Sequence, residues 1–500
     1  MSPPPLPILL LLGMVACAAT ARSACARPGD PPQPLAHLIA PDAAQGDEAG
    51  RAIAAAGRRI LVGAPSGNPN GVVNQGSAWV YRLEPDGSWV PESRLLDPSG
   101  AADHEFGFSV AIDDLGDGQL VAAIGAWRKP NGAIVGAGGA SIFRFANGRW
   151  MHEANIAAND PSANAEFGRS IAVRGDTVLV GAWRAGLSSH GAAYVFRRQA
   201  SGAWTQTQKL VPPGNAFGDQ HGTTMALDSM GDRAIIGAWG DDAAATNGGA
   251  ATTWTRNAAG SFVYEAQLVG ADVAASDELG RGVAIDGDLA VVGSWPFFGD
   301  GIGKAYVFRR IGNAWIEEAK LTAPDGLTDD YFGFSVAVER GDDALGLGDR
   351  IACGAWADDI AGVTNQGSVW LFERTSAKAN GGWSATAQLT AADGEASDYF
   401  GFSLAWLCDL LAVGVRFDDT NGTLTTGSAR VWWAADPDDD GRPDACAQAA
   451  MAADLDGDGL VNASDLAILL DGWGGSGAAD LDGDGTVGAA DLAMLLDAWG

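Results

Sequence analysis

Side chains that carry chemistry are scarce in this chain, with five histidines and five cysteines among 500 residues. No two of His37, His104, His152, His190 and His221 stand at metal-ligand spacing, and HExxH, GxSxG and CxxC patterns are missing. The usual zinc-hydrolase, α/β-hydrolase and thioredoxin-like readings are therefore excluded. Gly299-Asp-Gly-Ile-Gly-Lys304 glances at a phosphate loop, but its first glycine is misplaced and Ala305 replaces the hydroxyl residue. It reads as a hairpin turn. Cys17, Cys25, Cys353, Cys408 and Cys446 are too scattered for a disulfide framework. Beyond Cys17, which falls in the leader described below, they read as buried free thiols, with a Cys353–Cys408 bridge as the alternative. Basic residues are few as well: 31 against 62 acids, a formal charge of −31. A surface of that sign repels nucleic acid and anionic lipid, so neither is an expected partner. After the N-terminus no run reaches the ~18 apolar residues of a membrane-spanning helix, and none is expected.

What is abundant is glycine, 70 residues, and tryptophan, 18. Without a collagen period, that much glycine points to many tight turns between short strands. Residues 1–21 read as a secretory signal, apolar from Leu6 to about Cys17, with Ala19-Thr20-Ala21 as the cleavage site. Secretion or display at the cell surface follows. The alternative is a lipid anchor on Cys17, since Met14-Val-Ala-Cys17 faintly resembles a lipobox.

The main signal is an internal repeat. A glycine opens a short alternating strand at Gly50, Gly107, Gly168, Gly222, Gly280, Gly333 and Gly401. Phe106, Phe167, Phe332 and Phe400 precede it in four copies, His221 and Leu279 in two more, and Ala49 in a degenerate first copy. A second signature follows each: Gly63-Ala-Pro, Gly125-Ala-Trp, Gly181-Ala-Trp, Gly237-Ala-Trp, Gly293-Ser-Trp, Gly354-Ala-Trp and Gly414-Val-Arg. A third takes forms such as Gly76-Ser-Ala-Trp-Val-Tyr and Gly303-Lys-Ala-Tyr-Val-Phe, weaker at Gly139 and Gly249. An amphipathic fourth segment ends in leucine, as in Trp204-Thr-Gln-Thr-Gln-Lys-Leu210.

Four short strands per unit, in seven units, predict an all-β, seven-bladed β-propeller over residues 35–433. The glycines fit a crowded axis, where only a residue without Cβ lets neighbouring backbones approach. The last unit stops at Trp433 without its fourth strand, while Leu35-Ala-His-Leu-Ile-Ala-Pro-Asp42 matches the fourth-strand segment Lys320-Leu-Thr-Ala-Pro-Asp325. The N-terminal strand is expected to close the ring. In wording and spacing these signatures resemble the FG-GAP repeats of integrin α-subunit propellers. Many blades of that family carry a calcium loop between their first two strands. Here those hairpins are too short or lack the ligand spacing, so no metal is expected in the propeller.

The acid is concentrated at the end: Asp436–Gly500 holds fifteen aspartates and one base, Arg442. Two near-identical twelve-residue segments begin at Asp454 and Asp480. Each offers oxygens at positions 1, 3, 5 and 12, glycine at 6 and a backbone carbonyl at 7, the pattern of a Ca²⁺ loop. The expected ligands are Asp454, Asp456, Asp458, Leu460 (carbonyl), Asn462 and Asp465, then Asp480, Asp482, Asp484, Thr486 (carbonyl) and Asp491. Converging carboxylates repel by ~4 kcal/mol per close pair at an effective dielectric near 20, and a divalent cation reverses that sign. Each loop precedes a short apolar helix, Leu466–Trp473 and Leu492–Trp499.

This duplicated loop and helix resembles a type I dockerin, so 454–500 is expected to form a small α-helical calcium-binding domain. The resemblance implies a cohesin-like partner met through Ala463-Ser464 and Ala489-Ala490. Leu469, Leu470, Leu495 and Leu496 form the expected mini-core. The linker 434–453 contains Asp436, Asp438, Asp440 and Asp444, which resemble a thrombospondin type 3 calcium repeat.

Together these readings describe a secreted or cell-surface binding protein rather than an enzyme. The propeller would take protein or carbohydrate on loops such as Gly240–Ala243, Ala357–Ile360 and Arg416–Asp419. Trp127, Trp183, Trp239, Trp295 and Trp356 read as packing between blades, with sugar stacking as the alternative. A polysaccharide-active enzyme carried by the tail, or a structural envelope component, are the rival functions.

Overall fold

A computed structural model describes residues 32–433 apart from 85–86, 117, 297–301, 342–347, 375–381, 408–409 and 421. In the tail it describes residues 455, 463–475, 479, 487–488, 492 and 495. The expected signal segment, the linker and most calcium-loop positions lie outside the described residues.

Among the described residues, twenty-eight strands form seven four-stranded antiparallel sheets. The first blade comprises β2 (Ala52–Ala56), β3 (Arg59–Ala64), β4 (Ser77–Leu83) and β5 (Trp89–Leu95). The second begins with β6 (Phe106–Asp114) and ends with β9 (Arg149–Ile156). Later blades run up-and-down in the same order, and their first strands β10 (Ser170–Arg174), β14 (Met225–Leu227), β18 (Gly282–Asp286), β22 (Phe332–Glu339) and β26 (Phe400–Leu407) surround the axis. Each first strand packs on the next around the ring, and β26 packs on β2. The circle is closed.

Its closure is made as the sequence implies. Strand β1 (Gln33–Leu38) pairs antiparallel with β28 (Ser428–Trp433), from Gln33 opposite Trp433 to Leu38 opposite Ala429, and becomes the outer strand of the seventh blade. Leu38 is buried there, and the imidazole of His37 meets Asp418 at 2.8 Å. A register shift between Pro34 and Ala36 leaves Leu35 as a bulge. The other six blades have the same irregularity in their fourth strands, at Glu92, Glu153, Thr207, Glu265, Glu318 and Thr386. The first strand of the chain is thus a fourth strand in its pairing and in its defect.

The bulge re-aims a side chain, and in four blades that side chain is a glutamate gripped by its neighbour. Glu265 accepts from Arg310 Nε (2.6 Å) and Trp315 Nε1 (3.0 Å) of the next blade, and Glu153 from Arg198 and Trp204 in the same way. Glu265→Ala leaves a half-buried guanidinium and an indole N–H without their acceptor, so urea unfolding should show a loss of about 1–3 kcal/mol.

The glycine signatures meet at one seam. A Cβ on Gly63 would lie 2.0 Å from Gly107 O, one on Gly76 2.0 Å from Phe106 O, and one on Gly107 2.2 Å from Ser77 O. The closing seam repeats this, with Gly414 against Gly50 O at 2.2 Å and Gly427 against Ala49 O at 2.1 Å. In the second blade the third-signature glycine that touches its neighbour is Gly138, against Phe167, rather than Gly139. Behind the seams sit Phe106, Phe167, Leu279, Phe332 and Phe400, all fully buried, and Ala49 where the first copy is degenerate. His221 is buried in the same position, its Nε2 2.9 Å from Thr252 Oγ1, and burial pushes its pKa down to about 3. It is a packing residue. Cys353 is a buried free thiol.

Candidate functional site: an arginine-lined axial mouth

Each repeat places one residue directly after its first glycine, at the end of the axis where the inner strands begin. Those residues are Arg51, Phe108, Arg169, Thr223, Arg281, Phe334 and Phe402, and they line a cavity of about 570 Å³. The following hydroxyl holds the ring together. Ser109 Oγ donates to Gly168 O, Ser170 to Gly222 O, Thr224 to Gly280 O, Ser335 to Gly401 O and Ser403 to Gly50 O, all at 2.7–2.8 Å. Ala52 and Gly282 occupy the two remaining positions.

Two residues before each glycine the backbone is left-handed in every blade: Glu48, Glu105, Glu166, Gln220, Glu278, Tyr331 and Tyr399 have φ of 51–61°. Non-glycine residues adopt this conformation at a cost of about 1–2 kcal/mol. A strain repeated seven times is maintained for what it positions. Here it turns glutamates onto the rim. Glu105 accepts from Trp127 Nε1 (2.7 Å) and pairs with Arg128 (2.8 Å); Glu166 accepts from Trp183 and pairs with Arg184 (3.1 Å). Glu48 Oε2 accepts two bonds from Arg416 (3.0 and 2.7 Å), and Glu278 Oε2 two from Arg281 (3.0 and 2.7 Å).

The tryptophans of the second signature are half-buried at the same mouth, but their faces are taken. Arg281 lies 3.8 Å over Trp239 and 4.7 Å over Trp295, while Arg169 lies 5.0 Å over Trp183. Trp356 stacks on Tyr331 at 4.8 Å and meets Tyr399 at 4.6 Å. They pack blade to blade and hold guanidinium groups by cation–π attraction.

Arg51 and Arg169 differ from the other arginines of the mouth. Arg51 sits 4.1 Å over Phe108 and 4.9 Å over Phe402, and Arg169 4.5 Å over Phe108. Neither guanidinium forms a hydrogen bond or ion pair with any described residue. Removal from water and repulsion by Arg416 and Arg169 push the Arg51 guanidinium well below the usual arginine range, against the pull of Glu48 and Glu105. Arg169 is brought down to about 10, chiefly by loss of water, with Glu166 opposing and Arg281, Arg184 and Arg416 adding to the shift.

A model of the FG-GAP repeat matches residues 34–81, 150–196, 204–252, 262–308, 315–372 and 383–432. The chain belongs to the FG-GAP repeat family. Five of the six matches start at or near the opening of the fourth strand of one blade and end within or just after the third strand of the next; the sixth, starting at Pro34 inside β1, has the same frame across the closing seam. The inner strands of the second blade fall between two matches, yet they carry the same glycine seam and the Ser109 bond. No curated protein matches the chain. Solved structures similar to this FG-GAP chain include two putative 6-phosphogluconolactonases. One is from Bacteroides fragilis NCTC 9343, with 11% identity, covering 70% of this chain and 89% of that one, TM-score 0.43. The other is from Bacteroides uniformis ATCC 8492, with 12% identity, covering 73% and 94%, TM-score 0.43.

The loops proposed from sequence as contact surfaces are partly internal in this FG-GAP propeller. Asp358 is buried, accepting from Ser368 Oγ (2.5 Å) and Gln388 Nε2 (3.1 Å), and Asp418 is buried against His37, Ser428 and Arg430. A carboxylate three residues before the repeat glycine ties down the preceding loop, Leu327 N donating to Asp330 (2.5 Å) and Glu395 N to Asp398 (2.6 Å). Burial, then the neighbouring Asp358 or Asp418, raises both pKa values to about 6, while the loop N–H bonds act against the shift. A carboxyl group whose folded pKa is raised favours folding when protonated. Its penalty is absent below the unfolded value near 4 and complete above about 6. The double variant Asp330→Asn/Asp398→Asn should therefore melt higher than wild type at pH 8, with the gap closing by pH 4, as followed by calorimetry. A constant gap would show that charge is not the cause.

Among the described residues no group of three or more metal-capable side chains converges. Of the expected tail ligands only Asp465 is described; Asp454, Asp456, Asp458, Leu460, Asn462, Asp480, Asp482, Asp484, Thr486 and Asp491, like Asp436, Asp438, Asp440 and Asp444, lie outside. Asp465 stands at the start of helix α1 (Ala463–Asp471), fully buried, and its Oδ1 accepts from Leu455 N at 2.6 Å. Position 12 of the first loop is thus folded back on position 2. Leu469, Ala479, Val487 and Leu495 form a small core, while Leu470, expected inside it, is 52% exposed. The helix turns Leu469 inward, and its neighbour one residue on, about 100° round, cannot share that face. Leu496 lies outside the described residues.

Proposed function

We propose that this chain is a non-enzymatic binding protein, secreted or held at the cell surface, whose propeller takes its ligand at the axial mouth. The observation that carries this reading is the lining of the cavity. It presents guanidinium, aromatic and hydroxyl groups, and its described residues include no carboxylate, imidazole, amine or thiol to move a proton or attack a substrate. The acids nearby sit on the rim and are engaged by arginine and tryptophan. The tail is a calcium-dependent attachment module: the inward fold of Asp465 onto Leu455 suits a loop that closes around a cation, and Ile468, Leu470 and Trp473 stay exposed for a cohesin-like partner.

Titration of the whole chain with Ca²⁺ should give heat for two sites, lost in Asp456→Ala/Asp482→Ala. Capture of surface proteins from the producing cell should depend on calcium through the tail. Binding of extracellular ligands by the propeller should persist in that double variant. Turnover of a polysaccharide by the purified chain would overturn the reading.

A further inference from the structure

Resting on the axial mouth as the binding site, the geometry points to its chemistry: we infer that the mouth is an oxyanion site, with Arg51 and Arg169 donating to carboxylate, sulfate or phosphate groups. Four guanidinium groups face this cavity in a chain whose net charge is −31. Two of them, Arg281 and Arg416, are each neutralised by a bidentate bond to one glutamate. Arg51 and Arg169 have no such carboxylate. Their planes rest on Phe108, Phe402, Trp127 and Trp183, which fixes direction and strips water without satisfying the N–H donors.

Guanidinium groups oriented by aromatic faces and repelled by one another are pre-arranged for an anion, which removes the repulsion as it binds. The acids of the outer surface do not cancel this field, because the Debye length at physiological ionic strength is about 8 Å. The cavity, at about 570 Å³, has room for a small polyanion or the end residues of an acidic glycan. Both sources share the same oxyanion chemistry. Neutral sugars are disfavoured because the indole faces are already covered.

The test is calorimetric titration of the full chain with citrate, with inorganic sulfate, with oligogalacturonate and with a neutral oligosaccharide. Each is repeated on Arg51→Gln/Arg169→Gln and on Arg51→Lys/Arg169→Lys. Binding of at least one anion is expected, weakened at least about tenfold by the glutamine pair and less by the lysine pair. Citrate or sulfate alone marks a small-molecule site, and oligogalacturonate alone a glycan-end site. Removing two repelling charges should leave the melting temperature unchanged or higher. On the unaltered chain, the bound anion should slow phenylglyoxal modification of Arg51 and Arg169, read by mass spectrometry, which keeps the test independent of variant folding.

Anion binding equal in wild type and the glutamine pair, or no binding of any anion, overturns the inference. Anion binding to the wild type that leaves modification of both arginines unslowed overturns it as well. Neutral sugar binding that the arginine variants leave intact also overturns it, while sparing the axial mouth as the ligand site.

Discussion

Gly107→Ala should destabilise the propeller by about 3 kcal/mol or more, far beyond an ordinary glycine substitution in a turn. At φ +96° the new Cβ would lie 2.2 Å from Ser77 O and 3.1 Å from Ala64 N. Both obstacles are backbone, so no rotamer relieves them. The seam between the first two blades must open, and the Phe106 ring behind it loses its fit against Phe143, 6.2 Å away. Gly148→Ala is the control, because φ is +73° there but nothing lies within 4 Å of the added carbon. It should cost only the ~1–2 kcal/mol of a left-handed alanine. Equal losses for the two variants in urea unfolding would show that the seam yields and that close approach is not what fixes glycine.

Removing β1 should have the larger effect on behaviour. A chain beginning after Pro41 loses the outer strand of the seventh blade, the buried Leu38 and the His37–Asp418 contact. The edge of β28 is then open, with unpaired backbone groups ready to recruit another chain. We expect the melting temperature to fall by ~10 °C or more and the truncated chain to self-associate. A synthetic peptide of residues 32–42 should restore both properties by filling the vacated edge. Retention of wild-type stability without the peptide would mean that the ring does not depend on its own first strand for closure.

The propeller was legible because its physics is periodic. Gly63, Gly76 and Gly107 are far apart in sequence yet meet at one seam, and a constraint imposed once per blade leaves a mark once per blade. The N-terminal strand could be assigned for the same reason, since Leu35–Asp42 reads like the other fourth strands. The shift from Gly139 to Gly138 shows the limit of such reading where two adjacent glycines satisfy one pattern.

The site was not legible in the same way. Arg51, Arg169 and Arg281 occupy the position after the repeat glycine, but that position also holds phenylalanine and threonine. Only the ring arrangement brings the residues from separate blades around one cavity. The signals overlooked were the serine or threonine two residues after the glycine in five blades, and the glutamate or tyrosine two residues before it in six. Their meaning depends on left-handed backbone and on bonds that cross between blades. Likewise Asp358 and Asp418 looked like loop-tip acids and prove to be internal ties, because burial is a property of the packed ring.

Local sequence determined the strands, their number and the glycine positions, since turn chemistry and close backbone approach act on a few residues at a time. Only the tertiary structure decided which arginines are neutralised by glutamate and which face the axis alone. Glu278 takes Arg281 three residues on, but the equivalent Glu166 takes Arg184 instead of Arg169, and Glu48 takes Arg416 across the closing seam, so the choice is set by side-chain geometry in the packed ring.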